Sequence, residues 1–84
     1  MTRYFFDIVE GGEQTLDEVG DEFVDETAAR NQAAFLLIEV ARDMVRDGGV
    51  TALAVNVRNQ GGKPGFHATL ALQFGGPSEG AARG

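Results

Sequence analysis

"LDEVGDEFVDETAAR", residues 16–30, is the stretch on which the fold turns. It carries acidic pairs at a four-residue step: Asp17-Glu18, Asp21-Glu22 and Asp25-Glu26. In one continuous helix, that step would align all three pairs on a single face. Gly20 and the β-branched Val19 and Val24 argue against a helix there, because both residue types weaken one. The run therefore divides. Asp17 and Glu18 belong to a hairpin or its bulge, Asp21 and Glu22 to a returning strand, and Asp25 and Glu26 to a helix start. Asp25 sits at the N-cap, where its carboxylate can accept a free backbone N–H of the first turn. Glu26 complements the helix dipole and makes an i,i+4 pair with Arg30.

Working outward, residues 4–9 read as a strand, aromatic and β-branched, ended by Gly11-Gly12. Alternation sets Tyr4, Phe6 and Ile8 against Phe5, Asp7 and Val9. A second strand spans residues 13–24 with Gly20 interrupting it. A helix of residues 26–47 follows, stopped by Gly48-Gly49. Two further strands, residues 50–58 and 66–74, flank the turn segment "NQGGKPG" of residues 59–65. The order β-β-α-β-β predicts an α+β fold: one antiparallel sheet of about four strands with one long helix packed on one face. The predicted helix-facing set is Phe6, Ile8, Leu53, Val55, Val57, Leu70, Leu72 and Phe74. Residues 1–74 form the single domain, and residues 75–84, "GGPSEGAARG", form a flexible C-terminal tail.

The helix has more apolar surface than one sheet requires. On a wheel, Leu36, Ala29, Val40, Ala33, Met44 and Leu37 form one stripe. Ala41, Ala34, Val45 and Ile38 continue it around the side, to an arc of roughly 200° where about 100° suffices. Phe35 stands among polar neighbours. Phe35, Ile38, Ala41 and Val45 are thus the candidate residues for self-association, and a homodimer is the expected state. A small chain without a staple has reason to associate.

Composition narrows the function classes. The 84 residues are 43% hydrophobic and 24% charged, outside the disordered range. The net charge of −6 excludes nucleic acid and anionic membranes as partners but permits a basic protein. No cysteine is present, and the one histidine, His67, cannot make a His-rich metal site. The start of the chain has neither the apolar run of a signal peptide nor that of a membrane span, so a cytoplasmic location is expected. The acidic pairs do not fit a calcium loop. Counted from Asp17, the sixth residue is Glu22 and the twelfth is Ala28, where a glycine and a bidentate glutamate belong. "GGKPG" lacks phosphate-loop spacing and precedes a strand rather than a helix. With one serine, Ser78, and no nucleophile–base pair, no catalytic, metal-binding or cofactor-binding residues are expected, and the chain reads as a non-enzyme.

One resemblance stands beside this reading. "RYFFDI" from Arg3, then Asp17, Gly20, Glu22, Asp25, Ala29 and Arg30 and an alanine-rich helix, resembles the DUF6894-type family. These are short proteins of unknown function from bacteria, common in alphaproteobacteria. The likeness runs from Thr2 to about Phe74, and members often carry His where this chain has Asp7. It implies a compact cytoplasmic domain and brings no activity, ligand or catalytic residue. The expected function is a small self-associating interaction or regulatory domain. One alternative is a small-ligand or metal-binding protein using the acidic hairpin or an inter-subunit cleft. Another is an acidic antitoxin-like or decoy module covering a basic protein, with Asp21 and Glu22 facing that partner.

Overall fold

A computed structural model describes residues 1–46, 52–73 and 75–77. It has the expected α+β arrangement, with one strand more before the helix: β1 (Thr2–Glu10), β2 (Glu13–Thr15), β3 (Asp21–Phe23), α1 (Glu26–Arg46), β4 (Ala52–Asn59) and β5 (Pro64–Ala71). All strand pairs are antiparallel, and the order across the sheet is β2-β1-β4-β5. β3 shares an edge of β1 with β2: Ile8 lies opposite Thr15, and Tyr4 opposite Asp21. The strand expected over residues 13–24 thus returns along β1 as two pieces. Between them the chain leaves the sheet, around Gly20.

The last hairpin differs from expectation at both ends. Pro64 and Gly65, read as turn, belong to β5. The register moves from Val57 opposite Phe66 to Arg58 opposite Pro64, which makes Gly65 the extra residue of a bulge. A Cβ on Gly65 would lie 3.0 Å from the Val57 carbonyl oxygen, a tight contact that favours glycine in the bulge. Proline is tolerated because it opens an edge strand. At the other end, Leu72 does not face the helix: it lies beyond β5 and is 37% exposed. Phe74, the Asp47–Gly49 helix stop and the strand start at Val50 and Thr51 lie outside the described residues. So does the expected tail from residue 78 onward, while residues 75–77 carry no helix or strand.

α1 begins as capping chemistry dictates. The Asp25 Oδ1 accepts the Ala28 N–H at 2.9 Å, and Arg30 pairs with Glu26 at 3.0 Å. Its buried side is small: Ala29 and Ala33 are fully enclosed, with Leu37 beside them. Small side chains let the helix settle close to Phe6, Leu53, Val55 and Val57 of the sheet. Phe23 of β3 ties the far edge in, its ring 5.7 Å from Phe6 and 6.0 Å from Tyr4. The helix lies along β4 and β5 alike. It runs in the same direction as β5, with Arg30 over Phe66 near one end and Val45 beside Leu70 near the other.

Candidate functional site

Two places on the molecule hold more than packing. The first is the detour of residues 16–20, on the sheet face opposite the helix. There β1 has lost its neighbouring strand, and a side chain replaces it. The Phe6 N–H donates to Asp17 Oδ2 at 3.1 Å, while Asp17 Oδ1 accepts the N–H groups of Val19 and Gly20, each at 3.0 Å. The Asp17 N–H in turn donates to Asp7 Oδ1 at 2.9 Å. Arg58, from β4, closes the ring. Its Nε donates to Asp7 Oδ2 at 2.6 Å, and its Nη2 donates to Asp7 Oδ1 at 3.0 Å and to the Asp17 carbonyl at 2.8 Å. The guanidinium lies 4.9 Å from the centre of the Phe5 ring. Gly20, at φ +73°, is pressed onto that ring and the Tyr4 carbonyl, leaving no room for a Cβ.

The electrostatics follow from these bonds. The Arg58 hydrogen bond holds the Asp7 carboxyl below its ordinary pKa, against the opposing effect of burial. For Asp17, burial pushes the pKa up, but the N–H donors of Gly20, Phe6 and Val19 and the charge of Arg58 together bring it below the ordinary value. Asp7 raises the pKa of Arg58 in return. Both aspartates stay ionised, and their acceptor oxygens are already occupied. With Asp7 only 2% exposed, the cluster is a closed latch. Among the described residues, no three His, Cys, Asp or Glu side chains are placed to share a metal ion.

Arg3 extends the latch toward β3. It donates to the Val19 carbonyl at 2.9 Å and to Glu22 at 3.2 Å. Glu22 therefore has a partner within the chain, although its side chain stays half-exposed. Asp21 is exposed and accepts the Glu22 N–H at 3.2 Å. His67 is exposed on β5, opposite Asn56. The sequence reading missed the role of Asp7, Asp17 and Arg58. An aspartate inside the most hydrophobic strand was the signal, but only the strand register shows that Arg58, opposite Phe5, reaches it diagonally.

The second place is a groove between α1 and β5. Ile38, Ala41 and Val45 line it with Leu70, and Arg42 and Arg46 form its rim, around a shallow, open space of about 410 Å³. It continues past Ile38 along Ala34, Ala68 and Thr69. Ile38 is 51% and Val45 49% exposed, while Ala41 packs against the core. The structure thus brings three of the four self-association candidates together. Phe35, 65% exposed, stands outside the groove on the solvent side of Ile38. Beside the groove runs β5, whose outer edge has no neighbour among the described residues.

No helix here is long and apolar enough to cross a membrane. No curated protein matches the chain, and no solved structure does. One family profile, described as a domain of unknown function, matches residues 3–71 and so covers both the latch and the groove. The chain belongs to the DUF6894 family.

Proposed function

We propose that this chain is a non-enzymatic interaction domain that works as a self-associated unit, its contact surface being the groove between α1 and β5. The observation that carries this reading is the uncovered apolar side of α1, Ile38 and Val45, lying beside a strand edge with no neighbour among the described residues. Apolar side chains at helical spacing next to free strand N–H and C=O groups are what a protein partner covers. The latch supports the same reading from the other side. Its charged groups bond to one another and to backbone, so they serve the fold rather than a substrate.

Sedimentation velocity or light scattering on the purified protein tests this directly. A dimer at micromolar concentration is the expected result, and a monomer throughout that range would overturn it. Calorimetry with calcium, magnesium and manganese tests the metal-binding alternative, for which no heat is expected. A regulatory role in the cytoplasm fits this reading and would be tested by recovering the same assembly from host cells.

A further inference from the structure

The groove has the shape of half an interface. Ala34, Ile38, Ala41 and Val45 follow one another at steps of four, three and four residues. Those steps keep the four residues on one stripe of the helix, distinct from the sheet-facing stripe of Ala29, Ala33 and Leu37, and a second helix can pack along such a stripe. All four line the groove on the β5 side of α1. The seam alternates alanine with a β-branched residue. Read against itself in the opposite direction, it sets Ala34 across from Val45 and Ile38 across from Ala41, small against large.

The strand edge beside it is suited to the same operation. β5 has no charged residue in PGFHATLA, whereas the opposite edge carries Glu13, Asp21 and Glu22 within its two short strands. Edge strands that avoid pairing usually carry charge. On a chain of net charge −6, the β5 edge is where two copies can meet without repulsion. Of the arginines beside the groove, Arg46 pairs with Asp43 at 3.7 Å and Arg30 with Glu26 at 3.0 Å within the chain.

Geometry joins the two features. Because α1 straddles β4 and β5, it lies about one strand spacing from an axis just outside β5. Two copies related by that axis would hold their helices about 10 Å apart, the ordinary distance for packed helices. We propose that two copies of this chain pair β5 to β5, antiparallel about a two-fold axis at Thr69, while their α1 helices pack antiparallel along Ala34, Ile38, Ala41 and Val45. This register puts Ala68 across from Leu70 of the second copy beneath the helices. With β5 ending at Ala71, it also starts the pairing at His67, opposite Ala71 of the second copy and clear of Pro64 and the Gly65 bulge. Phe35 and Arg42, one heptad apart on the outer flank, face each other across the seam.

This arrangement rests on the self-association reading, and its test separates the two. The chain has no cysteine, so a Thr69→Cys variant can form a disulfide only between two copies. Facing residues at the two-fold have Cα atoms about 4.5–5.5 Å apart, within disulfide range. Mild oxidation at micromolar concentration is expected to convert most of Thr69→Cys to a linked dimer, and to leave Gln14→Cys on the opposite edge unlinked. Adding Ile38→Glu, or Ala34→Glu if the first fails to fold by circular dichroism, is expected to cut the yield at least tenfold. A wild-type dimer whose Thr69→Cys form does not link, or which links through Gln14→Cys, overturns this mode and leaves self-association standing. Linking undiminished by both glutamates overturns the helix seam. A monomeric wild type overturns mode and reading together.

Discussion

Gly20 and Asp17 show how much one residue can carry in this fold. Gly20 combines a left-handed backbone with contacts that exclude a Cβ, at 2.8 Å from the Phe5 ring and 2.9 Å from the Tyr4 carbonyl. Gly20→Ala should therefore cost about 2–4 kcal/mol in urea unfolding, the left-handed penalty plus overpacking. Asp17 substitutes for a strand. Asp17→Ala removes the acceptor of the Phe6 N–H. Amide exchange at Phe6 should accelerate at least tenfold in that variant while Val57, in the core, changes little. The two aspartates also set an acid limit. Their folded pKa values lie below the ordinary one, so their stabilisation is present above about pH 4 and is lost as pH falls through the folded values. Thermal melts should show Tm dropping below pH 4. Asp7→Asn should flatten that drop, at the cost of a lower Tm at pH 7.

Among the elements, α1 was the most legible. Its start follows from Asp25, and the bond from Ala28 to Asp25 is the one capping chemistry anticipates. Asp25→Ala should destabilise the protein by about 1 kcal/mol, measured by urea unfolding. The strands were legible in their faces, since Phe6, Leu53, Val55 and Val57 alternate as read and are buried. Their ends were less so. Pro64 and Gly65 look like turn residues because proline and glycine usually are, yet an edge strand tolerates the first and a bulge favours the second. Leu72 has the right alternation for the core and misses it, because β5 ends at Ala71. The detour at residues 16–20 was legible as an interruption, but its contents depended on which residues of β1 it crossed.

For the whole molecule, the central quantity is how much apolar surface one chain leaves uncovered. The wide apolar arc read from the helix corresponds to a real division. Ala29, Ala33 and Leu37 face the sheet, while Ile38 and Val45 face the groove. If the folded unit is a dimer, its stability includes the association free energy. The Tm should then rise by about 3–5 °C for each tenfold increase in concentration, and scanning calorimetry at two concentrations would measure it. A concentration-independent Tm would instead assign the whole stability to the single chain. The family likeness fits this picture. Of the residues that carry it, Arg3, Phe5, Phe6, Asp17, Gly20 and Glu22 take part in the latch and Asp25 and Arg30 start the helix, while Tyr4 and Ala29 belong to the packing of the core.

By itself, the sequence determined the order of elements, the helix start, the faces of the strands and the excess of apolar surface on α1. Those properties follow from periodicity and from chemistry within a few residues. Only the tertiary structure decided that Asp7, Asp17 and Arg58 form one latch, and that Ile38, Ala41 and Val45 share a groove with Leu70 while Phe35 does not. The physical reason is register. Asp7 and Arg58 are 51 residues apart, and nothing local specifies which strand positions meet. The acidic run at residues 16–30 joins the two levels. Its local spacing divided it into hairpin, strand and cap, but long-range pairing made Asp17 the substitute for a missing strand.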